Sequence, residues 1–156
     1  LIETFQNLPD VNLTWVDTAQ ERFPTHVPKG VDKLISPTPA KLMEYAQSTA
    51  EHLILTYSHA LDLELCHALL LHQFSWAGLI GSKTKWSRFR SRLKELGHHE
   101  AQINRLTCPI GHPEFGKHPH QIAIGVATDY LSRNKALAGS RRIQDEQRFA
   151  KPDWAN

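Results

Sequence analysis

Along this chain, apolar runs of strand length alternate with stretches whose apolar residues fall three and four positions apart. The runs Val11–Val16, Val31–Ile35, His52–Thr56 and Trp76–Ile80 read as strands. Helical spacing holds Leu42, Met43 and Ala46 together behind a Thr38-Pro39 start, with Thr as cap and Pro at the first helical position. It recurs at Leu61, Leu65, Ala68 and Leu69, and again at Trp86, Phe89, Leu93 and Leu96, where Gly97 ends the helix. Residues 103–110 fit a short helix followed by an extended piece. Pro119 opens a last helix with Ile122, Val126 and Tyr130 on one face, Ala123, Ala127 and Leu131 beside them. Strands alternating with helices predict an α/β fold, a parallel sheet covered on both sides.

Composition changes this picture little. A chain of 156 residues with 40% hydrophobic and 22% charged residues has the length and make-up of one globular domain. The reading is one domain over residues 1–137, followed by a polar tail over 138–156. A formal net charge of +2 gives no argument for nucleic acid, and no apolar run is long enough for a membrane helix. No stretch has the build of a signal peptide. Two cysteines, Cys66 and Cys108, make no disulfide framework and suit a reducing cytoplasm.

Candidate chemistry gathers where strands end, because ligands of open α/β sheets sit beyond the carboxyl ends of the strands. The first run ends in Asp17, the place where a dinucleotide-binding fold bonds a ribose hydroxyl. The matching Gly-rich turn should lie about 20 residues earlier, ahead of Leu1. The first residues, Leu1 to Phe5, continue an amphipathic helix with no cap before it. The expectation is therefore a Rossmann-like three-layer sandwich whose first strand and glycine turn are missing from these residues. Its central gap would keep Val11–Val16 from pairing with His52–Thr56. The ordinary alternative is that Asp17 only caps a turn.

His52–Thr56 runs into Tyr57, Ser58 and His59, then Asp62. His59 could act as a base or ligand oriented by Asp62; equally, Ser58 could be a helix cap with Asp62 favouring the dipole. Trp76–Ile80 runs into Gly81, Ser82 and Lys83, a turn that leaves N–H groups facing outward for an anion. Gly81 could equally serve only close strand–helix packing. The remaining cations of that helix, Lys85, Arg88, Arg90, Arg92 and Lys94, flank its apolar stripe on both sides and read as a solvated face. His112, His118 and His120 lack metal-site spacing, so no metal is expected. His98 and His99 fit a helix C-terminus, Cys66 a core position, and Cys108 either the more exposed of the two thiols or, with more weight, a buried small hydrophobe. No nucleophile–base pair stands out, and no catalytic residue is assigned.

Three segments, "LTYSHALDLELCHALL", "WAGLIGSKTKWSRFRSRLKELG" and "CPIGHPEFGKHPHQIAIGVATDYL", together resemble the C-terminal Rossmann-like domain of the XdhC family of xanthine dehydrogenase accessory proteins. The family's motifs fall in order at Thr56 to Leu65, Gly78 to Ser82, Arg92 to Gly97 and Pro109 to Ala123. Tyr57 stands where the family commonly has His, and His118 where it commonly has Thr. The resemblance implies a cytoplasmic chaperone that binds molybdenum cofactor (molybdopterin). It would support the cofactor's sulfuration by a cysteine desulfurase and its insertion into xanthine dehydrogenase. A homodimer stays open. With this role, the expected cofactor-binding residues are Asp17, Thr56, Ser58, His59, Asp62, Gly81, Ser82, Lys83, Pro109 and Gly111. The alternative is an NAD(P)- or nucleotide-dependent oxidoreductase of Rossmann type.

Overall fold

The computed structural model describes the backbone of residues 1–148 and the side chains of residues 1–135. These form two units: Ile2–Ile110, and the segment from Gly111 onward together with Leu1.

In the first unit a helical turn α1 (Ile2–Phe5) precedes strand β1 (Leu13–Asp17), which pairs in parallel with β2 (Val31–Ile35). A second sheet carries β3 (Glu51–Ile54), β4 (Trp76–Leu79) and β5 (Leu106–Thr107), all parallel and in that order. The strands therefore divide into two parallel sheets, and β1 does not pair with β3, as the expected strand order requires. The expected Thr38-Pro39 helix is a 3-10 helix, Pro39–Tyr45. Its ends carry i→i+3 bonds, the Lys41 N–H to the Thr38 carbonyl and the Ala46 N–H to the Met43 carbonyl, which is the 3-10 pattern.

Helix α2 (His59–Leu70) follows β3, α3 (Lys83–Glu95) follows β4, and a short α4 (Glu100–Ile103) leads into β5. Gly97 ends the α3 segment at φ +92°, a left-handed conformation that glycine adopts without a Cβ penalty. The core joins Ile54 of β3, Cys66, Leu69 and Leu70 of α2, and Ala77 and Leu79 of β4. Phe89 and Leu93 of α3, with Phe74, Ile103 and Leu106, complete it. Each fully buried Leu removes enough apolar surface from water to contribute about 1.5–3 kcal/mol. This packing fixes where both helices begin, and hence the geometry of the strand-end turns.

In the second unit, the turn 111–115 carries a 3-10 helix (Pro113–Phe115) and precedes α5 (Pro119–Arg148). The helix continues past Ala138, where the sequence turns polar; residues 149–156 of the expected tail lie outside the described residues.

Candidate functional site

The turns after β3 and β4 are stitched together by one buried ion pair. Asp62, in the first turn of α2, is 1% exposed. Its Oδ1 accepts the Thr56 N–H at 3.0 Å, and its Oδ2 accepts Lys85 Nζ at 2.6 Å. Lys85 also donates to the Ile80 carbonyl at 2.9 Å. One ammonium thus links the end of β4 to the start of α2, and the carboxylate ties α2 back to the end of β3. A carboxylate buried this deeply is tolerated because both oxygens have donors.

Gly81 makes room for this arrangement. A Cβ there would lie 2.7 Å from Cδ of Lys85 and 3.6 Å from Sγ of Cys108. The turn needs glycine because the Lys85 stem passes against it.

Each of the two turns ends in a serine cap. Ser58 Oγ accepts the Leu61 N–H at 3.4 Å, and Ser82 Oγ accepts the Lys85 N–H at 3.1 Å. Thr56 holds the first turn, its Oγ1 donating to the Ser58 carbonyl and accepting the Ser58 N–H. Two helices of 12 and 13 residues therefore open at the carboxyl edge of one sheet. Their first-turn N–H groups and dipoles favour negative charge there. Lys83 is exposed at the start of α3.

Two thiols border the ion pair. Burial pushes Cys66 up to about 12, with the Asp62 charge and Cys108 adding to it and Lys85 opposing. Burial also pushes Cys108 up to about 11, Lys85 opposing and Asp62 adding. Both are neutral thiols at physiological pH, and Cys108, half-buried, is the more exposed of the two, as expected.

The expected site residues separate into three groups. Thr56, Ser58, Asp62, Gly81, Ser82 and Lys83 come together at the ends of β3 and β4. Asp62 faces inward to Lys85, which leaves His59 exposed and without a hydrogen bond among the described residues; the His59–Asp62 arrangement does not form. Pro109 follows Cys108 in the same unit. Asp17 stands at the end of β1, its Oδ1 accepting the Thr18 N–H at 2.7 Å, with Arg22 Nε at 3.7 Å. Gly111 belongs to the second unit. Its φ is +84°, its N–H donates to Asp129 Oδ2 at 2.8 Å, and a Cβ would meet Val126 Cγ2 at 3.3 Å.

Three further features lie outside the residues expected from sequence. Lys85 is an inward partner and not part of a solvated face. Arg22 sits over Tyr57, its guanidinium carbon 3.3 Å from the ring centroid. His112 is clamped on both ring nitrogens, Nδ1 at 2.7 Å from Glu114 and Nε2 at 3.0 Å from Asp129. These contacts raise its pKa, the Glu114 hydrogen bond first. His98, expected at a helix C-terminus, lies 2.7 Å from His67 through its Nε2. Its pKa is lowered by burial, then by His67 and His99. No cluster of three or more metal-ligating side chains occurs among the described residues, and no described helix is long and apolar enough to cross a membrane.

Among curated proteins none matches the chain. Among solved structures it is similar to one described as a xanthine dehydrogenase from Bacillus halodurans, with 21% identity and a TM-score of 0.64. The match covers 80% of this chain and 36% of that one, so this chain spans little more than a third of that protein; the likeness shows a shared fold. The XdhC Rossmann domain matches residues 1–130, which take in both sheets and the start of α5. The chain belongs to the XdhC Rossmann-domain family.

Proposed function

We propose that this domain binds a molybdopterin-type cofactor at the carboxyl edge of β3 and β4. As an accessory protein it would support the cofactor's sulfuration by a cysteine desulfurase and its delivery to xanthine dehydrogenase. The observation that carries the reading is the Ser82-capped start of α3 with exposed Lys83 beside it. A pterin bearing a phosphate needs fixed N–H donors and a cation at one point, and this turn supplies both. The Lys85–Asp62 pair supports the reading by holding the turn rigid without occupying its outer face. When bound, the cofactor supplies the metal chemistry of the client enzyme. The residues of this chain hold and orient it: Lys83 and the α3 amides on the phosphate, Ser58 and the α2 amides on a second polar edge.

Replacing Lys83 by Ala tests this. Loss of one charge-assisted hydrogen bond should weaken cofactor binding by about 1–3 kcal/mol. The melting temperature should stay unchanged, since the side chain is exposed. Unaltered binding of isolated molybdopterin cofactor to the variant would overturn the assignment.

A further inference from the structure

His112 stands in the turn before α5 with a carboxylate at each of its ring nitrogens, an arrangement that the cofactor reading does not use. Nδ1 lies 2.7 Å from Glu114 Oε1 in the same turn, and Nε2 lies 3.0 Å from Asp129 Oδ1 on α5. The other oxygen of Asp129 accepts the Gly111 N–H at 2.8 Å, so one carboxylate holds two successive residues of the turn. Phe115 is stacked on the imidazole, with 4.8 Å between ring centroids and 15° between planes. Gly125 lets the turn seat on the helix, since a Cβ there would lie 2.7 Å from the His112 main-chain nitrogen. The two ring nitrogens point apart, so the imidazole and its carboxylates do not converge on one point. That accords with the absence of a metal-ligating cluster among the described residues.

We infer that His112 is a charge-operated latch, which as an imidazolium fastens the turn 111–116 to α5 and as a neutral ring lets that turn lift. The reason is a count of protons. An imidazolium carries an N–H on each nitrogen and donates to both carboxylates; a neutral ring has one N–H and one lone pair. Whichever nitrogen keeps the proton, the other then sets its lone pair against a carboxylate oxygen at hydrogen-bond distance. Glu114 is two residues from His112 and stays beside it in either state. Asp129 belongs to another element and has the Gly111 N–H as a second donor, so the link across to α5 is the one released. The stacked Phe115 ring favours the cation as well. The charges bearing on His112 are Glu114 from its own turn and Asp129 from α5. Of the titratable groups nearby in sequence, His118 and His120 stack on each other, Lys117 precedes them, and Arg133 lies one helical turn beyond Asp129. The two carboxylates raise the His112 pKa above the ordinary imidazole value, the Glu114 bond first. The latch is therefore closed in acid and opens as pH rises through that raised value.

The latch is independent of the Lys83 reading and is tested separately, by amide hydrogen exchange of the full chain, read by NMR across the titration of His112. The probes are the Gly111 amide, held by Asp129, and the Phe115 amide, held by the His112 carbonyl. Corrected for the chemical exchange rate, their protection should fall by about three- to tenfold as His112 loses its proton, the loss of one hydrogen bond. The Val126 amide, in the same helix, should keep its protection. His112→Leu keeps bulk without a donor and should show the low protection at every pH. Asp129→Asn should bring the His112 titration down toward the ordinary imidazole value. His118→Gln should leave the pH dependence as it is, and its loss there would assign the effect to the wrong ring and overturn the latch. Protection that stays constant while His112 titrates also overturns it, as does a fall shared equally by Val126, which is unfolding of the helix. Full protection of the turn in His112→Leu at acidic pH would show that the ring only packs. The pH comparison uses the unaltered chain and is unaffected by any loss of folding in a variant.

Discussion

Replacing Lys85 by Met removes the charge that balances Asp62 and leaves the methylene stem in place. The two side chains are 10% and 2% exposed, so neither is rescued by water. Asp62 would keep the Thr56 N–H and lose its ammonium, and the Ile80 carbonyl would lose a donor. Removing one member of a buried pair costs about 3–5 kcal/mol, because the remaining charge is uncompensated. That is a large share of the 5–15 kcal/mol available to a domain, given roughly as its usual range. With a urea slope of about 2 kcal/mol per molar, the unfolding midpoint should fall by about 2 M. The double variant Asp62→Asn, Lys85→Met should recover most of the loss, since a neutral amide can still accept the Thr56 N–H. Urea titrations followed by tryptophan fluorescence read both. A Lys85→Met midpoint equal to that of the unaltered chain would mean that the ammonium is solvated and the two turns are not held by this pair.

Two further expectations follow from the titrating groups. Cys66 and Cys108, pushed up to about 12 and about 11, should react with iodoacetamide at pH 8 about a hundredfold or more slowly than a free thiol. Fast labelling of the folded chain would show that the strand-end turns open. The raised pKa of His112 means that its clamp contributes stability below the ordinary imidazole range, and that this is lost as pH rises through the raised value. His98, lowered by burial, works in the opposite sense: its contribution is present at higher pH and lost as pH falls below the ordinary value. An NMR titration in which His112 loses its proton before His98 would contradict both.

Much of this architecture was legible because its elements are set by local pattern. The strand-sized runs and the Ser58 cap each depend on a few adjacent residues, and the structure has them within two residues of their expected bounds. What local pattern does not carry is contact across a distance. Arg22 and Tyr57 are far apart in sequence, and either one alone reads as an ordinary exposed residue. The His112 clamp depends on Asp129, several helical turns into α5, which no spacing rule connects to a proline-rich loop. The 3-10 form of Pro39–Tyr45 also escaped, because a proline start and apolar spacing signal a helix without fixing how tightly it winds.

Lys85 is the instructive case, because its signal was present. It lies four residues before Phe89 and eight before Leu93, both buried, so at 3.6 residues per turn it belongs to the inner row of α3. Asp62 stands in the same relation to Cys66 and Leu70 on α2. Each is a charge in the first turn of a helix that directly follows a strand, and β3 and β4 are neighbours in one sheet. Two opposite charges on the inner rows of adjacent helices, at the same end, can escape desolvation only by meeting each other. Counting the six cations of α3 as one flanking population hides this, because the one that matters is set apart by row and not by type. The inward cation fixes the turn, while Lys83, two residues earlier, lies on the outer, exposed side.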